Sequence, residues 1–159
     1  MVKESFLILS LYVNDILLAG NDKEMIVATK AWLSSNFEMK DMGEASYVLG
    51  VKILRDRLRK FLGLSQETYI RKIFELFQMQ NCKPIDTPIA KNDALGLDMY
   101  PKTQEEKDYM ARVPYASAIG SLMYAMICIR PDICYVVRLV SQFQSNPGLA
   151  HWKAVKRIL

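Results

Sequence analysis

Residues 6–19 hold two apolar runs split by one polar pair, and this constrains the fold more than any other stretch. Phe6-Leu7-Ile8-Leu9-Ser10-Leu11-Tyr12-Val13 comes before Asn14-Asp15, and Ile16-Leu17-Leu18-Ala19 comes after. The pattern predicts two buried strands with Asn14-Asp15 between them, since Asn and Asp tolerate the positive φ of a tight two-residue hairpin turn. A membrane span needs about 20 apolar residues. The polar pair interrupts the run well before that, and no clean small-residue cleavage site follows, so neither a span nor a signal peptide is expected. The expected setting is the cytoplasm or nucleus, with no membrane partner.

Gly20-Asn21 ends the second strand, and Asp22 is placed to cap a helix running to about Asn36. Met25, Ile26, Trp32, Leu33 and Phe37 supply that helix with an apolar face. After a turn at Gly43, a second hairpin is expected, with Tyr47 to Leu54 as one arm and Phe61 to Leu64 as the other. The connection between these arms is basic: Lys52, Arg55, Arg57, Arg59 and Lys60 accompany a single acid, Asp56. Ser65 is placed to cap a further helix, on which Tyr69, Ile70, Ile73, Phe74 and Phe77 recur at helical spacing.

Pro84, Pro88, Pro101 and the polar run from Lys102 to Asp108 predict an irregular connector and the boundary between subdomains. Helical patterning resumes after Pro114 with Ile119, Leu122, Met123, Met126 and Ile127. Pro131 breaks that helix and suits the first position of the next. Ile133, Val136, Val137, Val140 and Phe143 are expected to be buried there. Asn146-Pro147-Gly148 turns the chain into a third helix carrying Trp152, Val155 and Ile158.

Hydrophobic residues make up 51% of the 159, enough to bury a core. The 21 Lys and Arg against 17 Asp and Glu give a charge of +4, which permits phosphate contact without defining a concentrated basic face. With three widely spaced cysteines (Cys82, Cys128 and Cys134) and one histidine, a Cys/His zinc site lacks ligands. Buried free thiols in a reducing compartment are expected instead.

Read together, the motifs resemble the copia-type retrotransposon reverse transcriptases. Tyr12-Val13-Asn14-Asp15 matches that family's Tyr-Val-Asp-Asp hairpin, followed by Ala19-Gly20-Asn21 and by Phe37-Glu38-Met39-Lys40-Asp41-Met42-Gly43. Gly43-Glu44-Ala45, Leu49-Gly50, Leu64-Ser65-Gln66 and Tyr69-Ile70 continue the likeness in order. It closes with Ile119-Gly120-Ser121-Leu122-Met123-Tyr124, Arg130-Pro131-Asp132-Ile133 and His151-Trp152-Lys153 leading to Lys156-Arg157-Ile158-Leu159.

The resemblance implies an α+β chain. Residues 1–80 would be a partial polymerase palm, made of two β-hairpins and a packed helix, with the start of the thumb. Residues 81–113 would be the connector, and residues 114–159 a helical connection region ending before ribonuclease H. The implied reaction is RNA-directed DNA synthesis on an RNA or DNA primer-template, with Mg²⁺ held by paired carboxylates. Of that pair only Asp15 is a carboxylate, because Asn14 occupies the first position; Tyr12 and Val13 complete the turn.

The sequence therefore predicts a catalytically inactive derivative, or a non-catalytic module binding nucleic acid or protein. The family's fingers and another metal-binding palm strand lie upstream of the hairpin. Their absence here predicts an unpaired sheet edge open to self-association. For Lys52 to Lys60 two readings stay open: phosphate contact, or a solvated turn whose charges prevent edge pairing. His151 and Trp152 could stack bases, but their helical spacing with Val155 favours core and cap roles. Ser117 and Ser121 have no His/Asp partners for nucleophilic catalysis.

Overall fold

The computed structural model describes residues 4–85, 87–89 and 95–159. The chain is α+β, with two small antiparallel sheets and, among the described residues, six α-helices. It divides into two compact units, residues 1–46 and residues 47–159.

In the first unit, strands β1 (Leu7–Tyr12) and β2 (Asp15–Gly20) form a two-stranded ribbon. Tyr12 pairs with Asp15, so the turn residues are Val13 and Asn14, one position earlier than the sequence suggests. Val13 takes the positive φ, at 51°, a region that β-branched residues rarely enter. The strands were expected to be buried, yet Ile8, Leu9 and Leu11 are about half exposed or more. Covering both faces of a ribbon takes a layer on each side, and among the described residues of this unit helix α1 (Lys23–Asn36) is the element that packs on β2.

Helix α1 begins as expected. The Asp22 side chain accepts hydrogen bonds from the Glu24 and Met25 amides. The Met25 amide first, then the Ser5 hydroxyl, hold the Asp22 carboxyl below the usual carboxylate range. The predicted apolar face is only partly used: Leu33 is buried, while Trp32 and Phe37 stay exposed and meet edge-to-face at 6.2 Å.

The second unit opens with a three-stranded sheet, β3 (Tyr47–Val48), β4 (Val51–Asp56) and β5 (Phe61–Ser65). The single arm expected over Tyr47 to Leu54 is two strands. Leu49 and Gly50, with φ of 50° and 75°, turn the chain between them. Ser65 Oγ accepts from the Glu67 amide at the start of α2 (Glu67–Leu76), and that helix buries or half-buries the whole predicted face around Ile73.

The connector read as irregular contains a short 3-10 turn (Leu97–Met99) and helix α3 (Gln104–Ala111). Positions 86 and 90–94 of that connector lie outside the described residues. A capping box starts α3. Thr103 Oγ1 accepts from the Glu106 amide at 3.2 Å, and Glu106 Oε2 accepts from the Lys102 and Thr103 amides at 2.8 and 3.3 Å. Local satisfaction of orphan amides outweighs the polar composition that suggested a loop.

The core lies in α4 (Tyr115–Cys128), α5 (Cys134–Ser141) and α6 (Leu149–Ile158). Ile133, Val136, Val137, Val140 and Phe143 are all buried, as the spacing predicts, and Pro131 opens the 3-10 turn leading into α5. Tyr115 reaches through this core to donate to the Val140 carbonyl at 2.7 Å, and burial pushes its hydroxyl pKa up. Ile127, assigned to the same face, is instead 77% exposed. The thiols also depart from expectation: Cys82 and Cys134 are exposed and Cys128 is half-buried. All three are free, and each sits at or beyond a helix end, where packing closes less completely.

Candidate functional site

The β1–β2 turn is held from its base rather than from its tip. Asn21 Oδ1 accepts from the Phe6 amide at 2.9 Å, and Asn21 Nδ2 donates to the Glu4 carbonyl at 2.9 Å. The carboxamide thus extends the ladder one step beyond the last strand pair, Leu7 with Gly20. Gly20 is fixed by close approach, since a Cβ there would lie 2.5 Å from the Phe6 carbonyl oxygen. Ser5 Oγ then donates to Asp22 Oδ2 at 2.9 Å, tying the strand to the cap of α1. Sequence reasoning marked Gly20 and Asn21 only as a strand end. An amide side chain directly after a strand glycine is the signal it passed over.

At the other end of the ribbon, Tyr12, Val13, Asn14 and Asp15 are all exposed. Asp15 opens β2 directly opposite Tyr12, so their side chains share a face with Ser10 and Leu17. Asn14 sits in the turn itself. Among the described residues, no group of three or more His, Cys, Asp or Glu is arranged to hold a metal ion. One carboxylate beside one neutral carboxamide falls short of the oxygen donors that Mg²⁺ takes, so these residues alone do not make the ion's site.

The structure separates the basic residues of the second hairpin. Arg57, Arg59 and Lys60 cluster at the exposed β4–β5 tip, where Lys60 adopts φ 53°. Asp56 organises this tip: its Oδ1 accepts from the Arg59 amide at 3.0 Å, and its Oδ2 lies 3.6 Å from the Arg59 guanidinium. Arg55 and Lys52 lie further back on β4 and, by strand alternation, on opposite faces. Lys52 is roughly 16 Å of strand from Arg57.

One tyrosine fastens this sheet to α4, and a second ties α2 to the same helix. The Tyr124 hydroxyl on α4 donates to the Leu49 carbonyl in the β3–β4 turn. Tyr69 on α2 donates to the Ser121 carbonyl at 3.1 Å and meets the Tyr124 ring edge-on at 4.7 Å. His151 and Trp152 are buried, as core and cap residues should be, and neither offers a face to a base. Ser121 Oγ donates to the Ser117 carbonyl, an ordinary intrahelical contact.

Residues 2–91, more than half of the chain, match the family described as Reverse transcriptase (RNA-dependent DNA polymerase). The chain belongs to this family. Similar proteins extend the likeness past the family match. A retrovirus-related Pol polyprotein from transposon TNT 1-94 of Nicotiana tabacum is 53% identical over 99% of this chain. A Pol polyprotein from transposon RE1 of Arabidopsis thaliana is 36% identical over 98%. The chain spans 12% and 10% of those two polyproteins. It spans 59% of an uncharacterized mitochondrial protein of Arabidopsis thaliana, to which it is 35% identical. No solved structure matches it. This reverse transcriptase segment therefore resembles one short portion of a retrotransposon Pol polyprotein, and no described helix is long and apolar enough to cross a membrane.

Proposed function

We propose that this chain carries the metal-site hairpin of a copia-type RNA-directed DNA polymerase in a disarmed form, and is catalytically inactive as it stands. In this reading the β1–β2 ribbon, the β3–β5 sheet and α1 belong to the palm, and α2 begins the thumb. Residues 81–113 are the connector, and α4 to α6 form the connection region. The partner is an RNA or DNA primer-template in the cytoplasm or nucleus.

The observation that carries the reading is the β1–β2 turn. Asn14 keeps an oxygen but no charge where the motif calls for a carboxylate. Asp15 is left as the single anionic donor, on an exposed strand end. Two Mg²⁺ ions in a polymerase activate the primer hydroxyl and neutralise the leaving pyrophosphate, which needs anionic ligands on a rigid turn. The ladder carries the turn at its tip, where Tyr12 pairs with Asp15, but half the motif's charge is missing. Primer extension with the purified chain, in Mg²⁺ or Mn²⁺, should show no template-dependent incorporation. Incorporation above a no-enzyme control would overturn the proposal.

A second reading, a non-catalytic nucleic-acid contact, is favoured by the exposed Arg57, Arg59 and Lys60 tip. Backbone contacts of this kind weaken steeply with salt. A gel shift that fades with salt and is lost when Arg55, Arg57 and Arg59 become Ala would support it. Concentration-dependent oligomerisation without a shift would point instead to self-association through the ribbon.

A further inference from the structure

His151 is the one histidine of the chain, and it has no exposed surface. Its Nδ1 accepts a hydrogen bond from the Gly148 amide at 2.8 Å, so that nitrogen carries no proton. The proton is therefore on Nε2, which donates to the Gly96 carbonyl at 3.2 Å. Phe143 stacks flat on the ring at 4.0 Å, and Tyr100 meets it edge-on at 5.9 Å. The segment around the 3-10 turn closes against the same helix end by backbone contact. The Met99 carbonyl oxygen stands 1.9 Å from where a Cβ on Gly148 would be. One ring thus joins the first turn of α6 to residues 96–100, and it can do so only in one neutral tautomer.

Protonation would place two N–H donors face to face at the Gly148 contact. It would also bury a cation at the positive end of a helix. Two surrounding groups favour the cation, the Asp98 carboxylate of the 3-10 turn and the Gly96 carbonyl. The Tyr100 ring meets the imidazole only edge-on. Phe143 on the far face offers no charge.

We propose that His151 is an acid-sensitive latch, whose protonation at Nδ1 releases residues 96–100 from the N-terminus of α6 while α4 and α5 stay packed. Burial lowers the pKa of this imidazole below its ordinary 6.5, against the opposing pull of Gly96 and Asp98. For a lowered histidine the sign is fixed: the latch contributes fully above pH 6.5, and its contribution is lost as pH falls below that value.

The test is amide hydrogen exchange of the full chain, read residue by residue from about pH 7.5 to about pH 5 and corrected for intrinsic exchange. The hydrogen-bonded amides of Gly148, Met99 and Tyr100 should lose protection together, by about tenfold or more relative to Val137. His151→Gln keeps an acceptor for the Gly148 amide without a titrating proton. In that variant the acid-induced loss should vanish. Persistence of the loss in His151→Gln would overturn the proposal and assign the transition to carboxylates such as Asp98. If the variant does not fold, the ¹⁵N shifts of the native ring decide. A neutral Nε2–H tautomer that charges as the Met99 and Tyr100 amides open supports the latch. Charging with those amides still protected contradicts it.

Discussion

The β1–β2 ribbon and the α4–α6 core are both made of aliphatic sequence, but they bury it very differently. In β1 every residue except Leu7 is exposed, including Ile8, Leu9 and Leu11. In α5 the residues Val136, Val137 and Val140 are buried, with Ile133 and Phe143 extending the stripe at either end. A helix gathers its apolar residues on one side, and two neighbours suffice to close it. A ribbon divides the same residues between two faces, so one packed helix leaves much of it open. Apolar content thus predicts burial only once the number of covering layers is known.

The largest expected effect breaks this contrast with one kind of substitution at two places. Val137→Asp puts an unpaired charge at a fully buried position and should cost about 3–5 kcal/mol, enough to abolish a cooperative transition in chemical denaturation. Leu11→Asp, at 64% exposure, should change stability by no more than about 0.5 kcal/mol. Equal losses at the two sites would show the ribbon to be covered in solution.

A smaller change sharpens the core side of the comparison. Tyr115→Phe removes the hydroxyl that pairs with the Val140 carbonyl and should cost about 1–2 kcal/mol by denaturant titration. Thr103→Ala removes the first half of the α3 capping box and should cost about 1 kcal/mol. Acid attacks the other half. The Lys102 amide, then the Thr103 amide, hold the Glu106 carboxyl below its ordinary 4.5. The cap is therefore intact above that value and is lost as pH falls through and below it, which amide exchange in residues 104–111 would register. Gly120→Ala gives a small shift of the opposite sign. It lies within α4 with nothing within 4 Å of an added Cβ, so the variant should gain about 0.5–1 kcal/mol in melting experiments.

What could be read from sequence divides along the same line. The α5 stripe was legible residue by residue, because helical period and burial coincide there. Asp22 as the cap of α1 was equally legible, since capping is settled by one side chain and two amides. Helix α3 was missed although Thr103 and Glu106 stand at capping-box spacing; the surrounding prolines and charges masked a local signal. The hairpin register slipped by one residue because Asn and Asp are better turn formers than Val, and pairing of Tyr12 with Asp15 overrode that preference. Exposure of the ribbon was illegible, because the pattern of a strand does not say how many layers will meet it. The candidate site was visible only as a motif. The ties at the opposite end of the ribbon need long-range partners that spacing does not encode: the Asn21 carboxamide on Phe6, the Ser5 hydroxyl on Asp22, and the close approach of Gly20 to Phe6.

The central claim is that Asn14 leaves the hairpin with one anionic metal ligand. Paramagnetic broadening by Mn²⁺, followed at the amides of residues 12–17 in the native chain and in Asn14→Asp, tests it most directly. Removing one charge from an exposed site should weaken the ion's binding roughly tenfold. The native amides should therefore need about ten times more Mn²⁺ than those of Asn14→Asp for the same broadening. Equal broadening in the two proteins at every Mn²⁺ concentration would contradict the account.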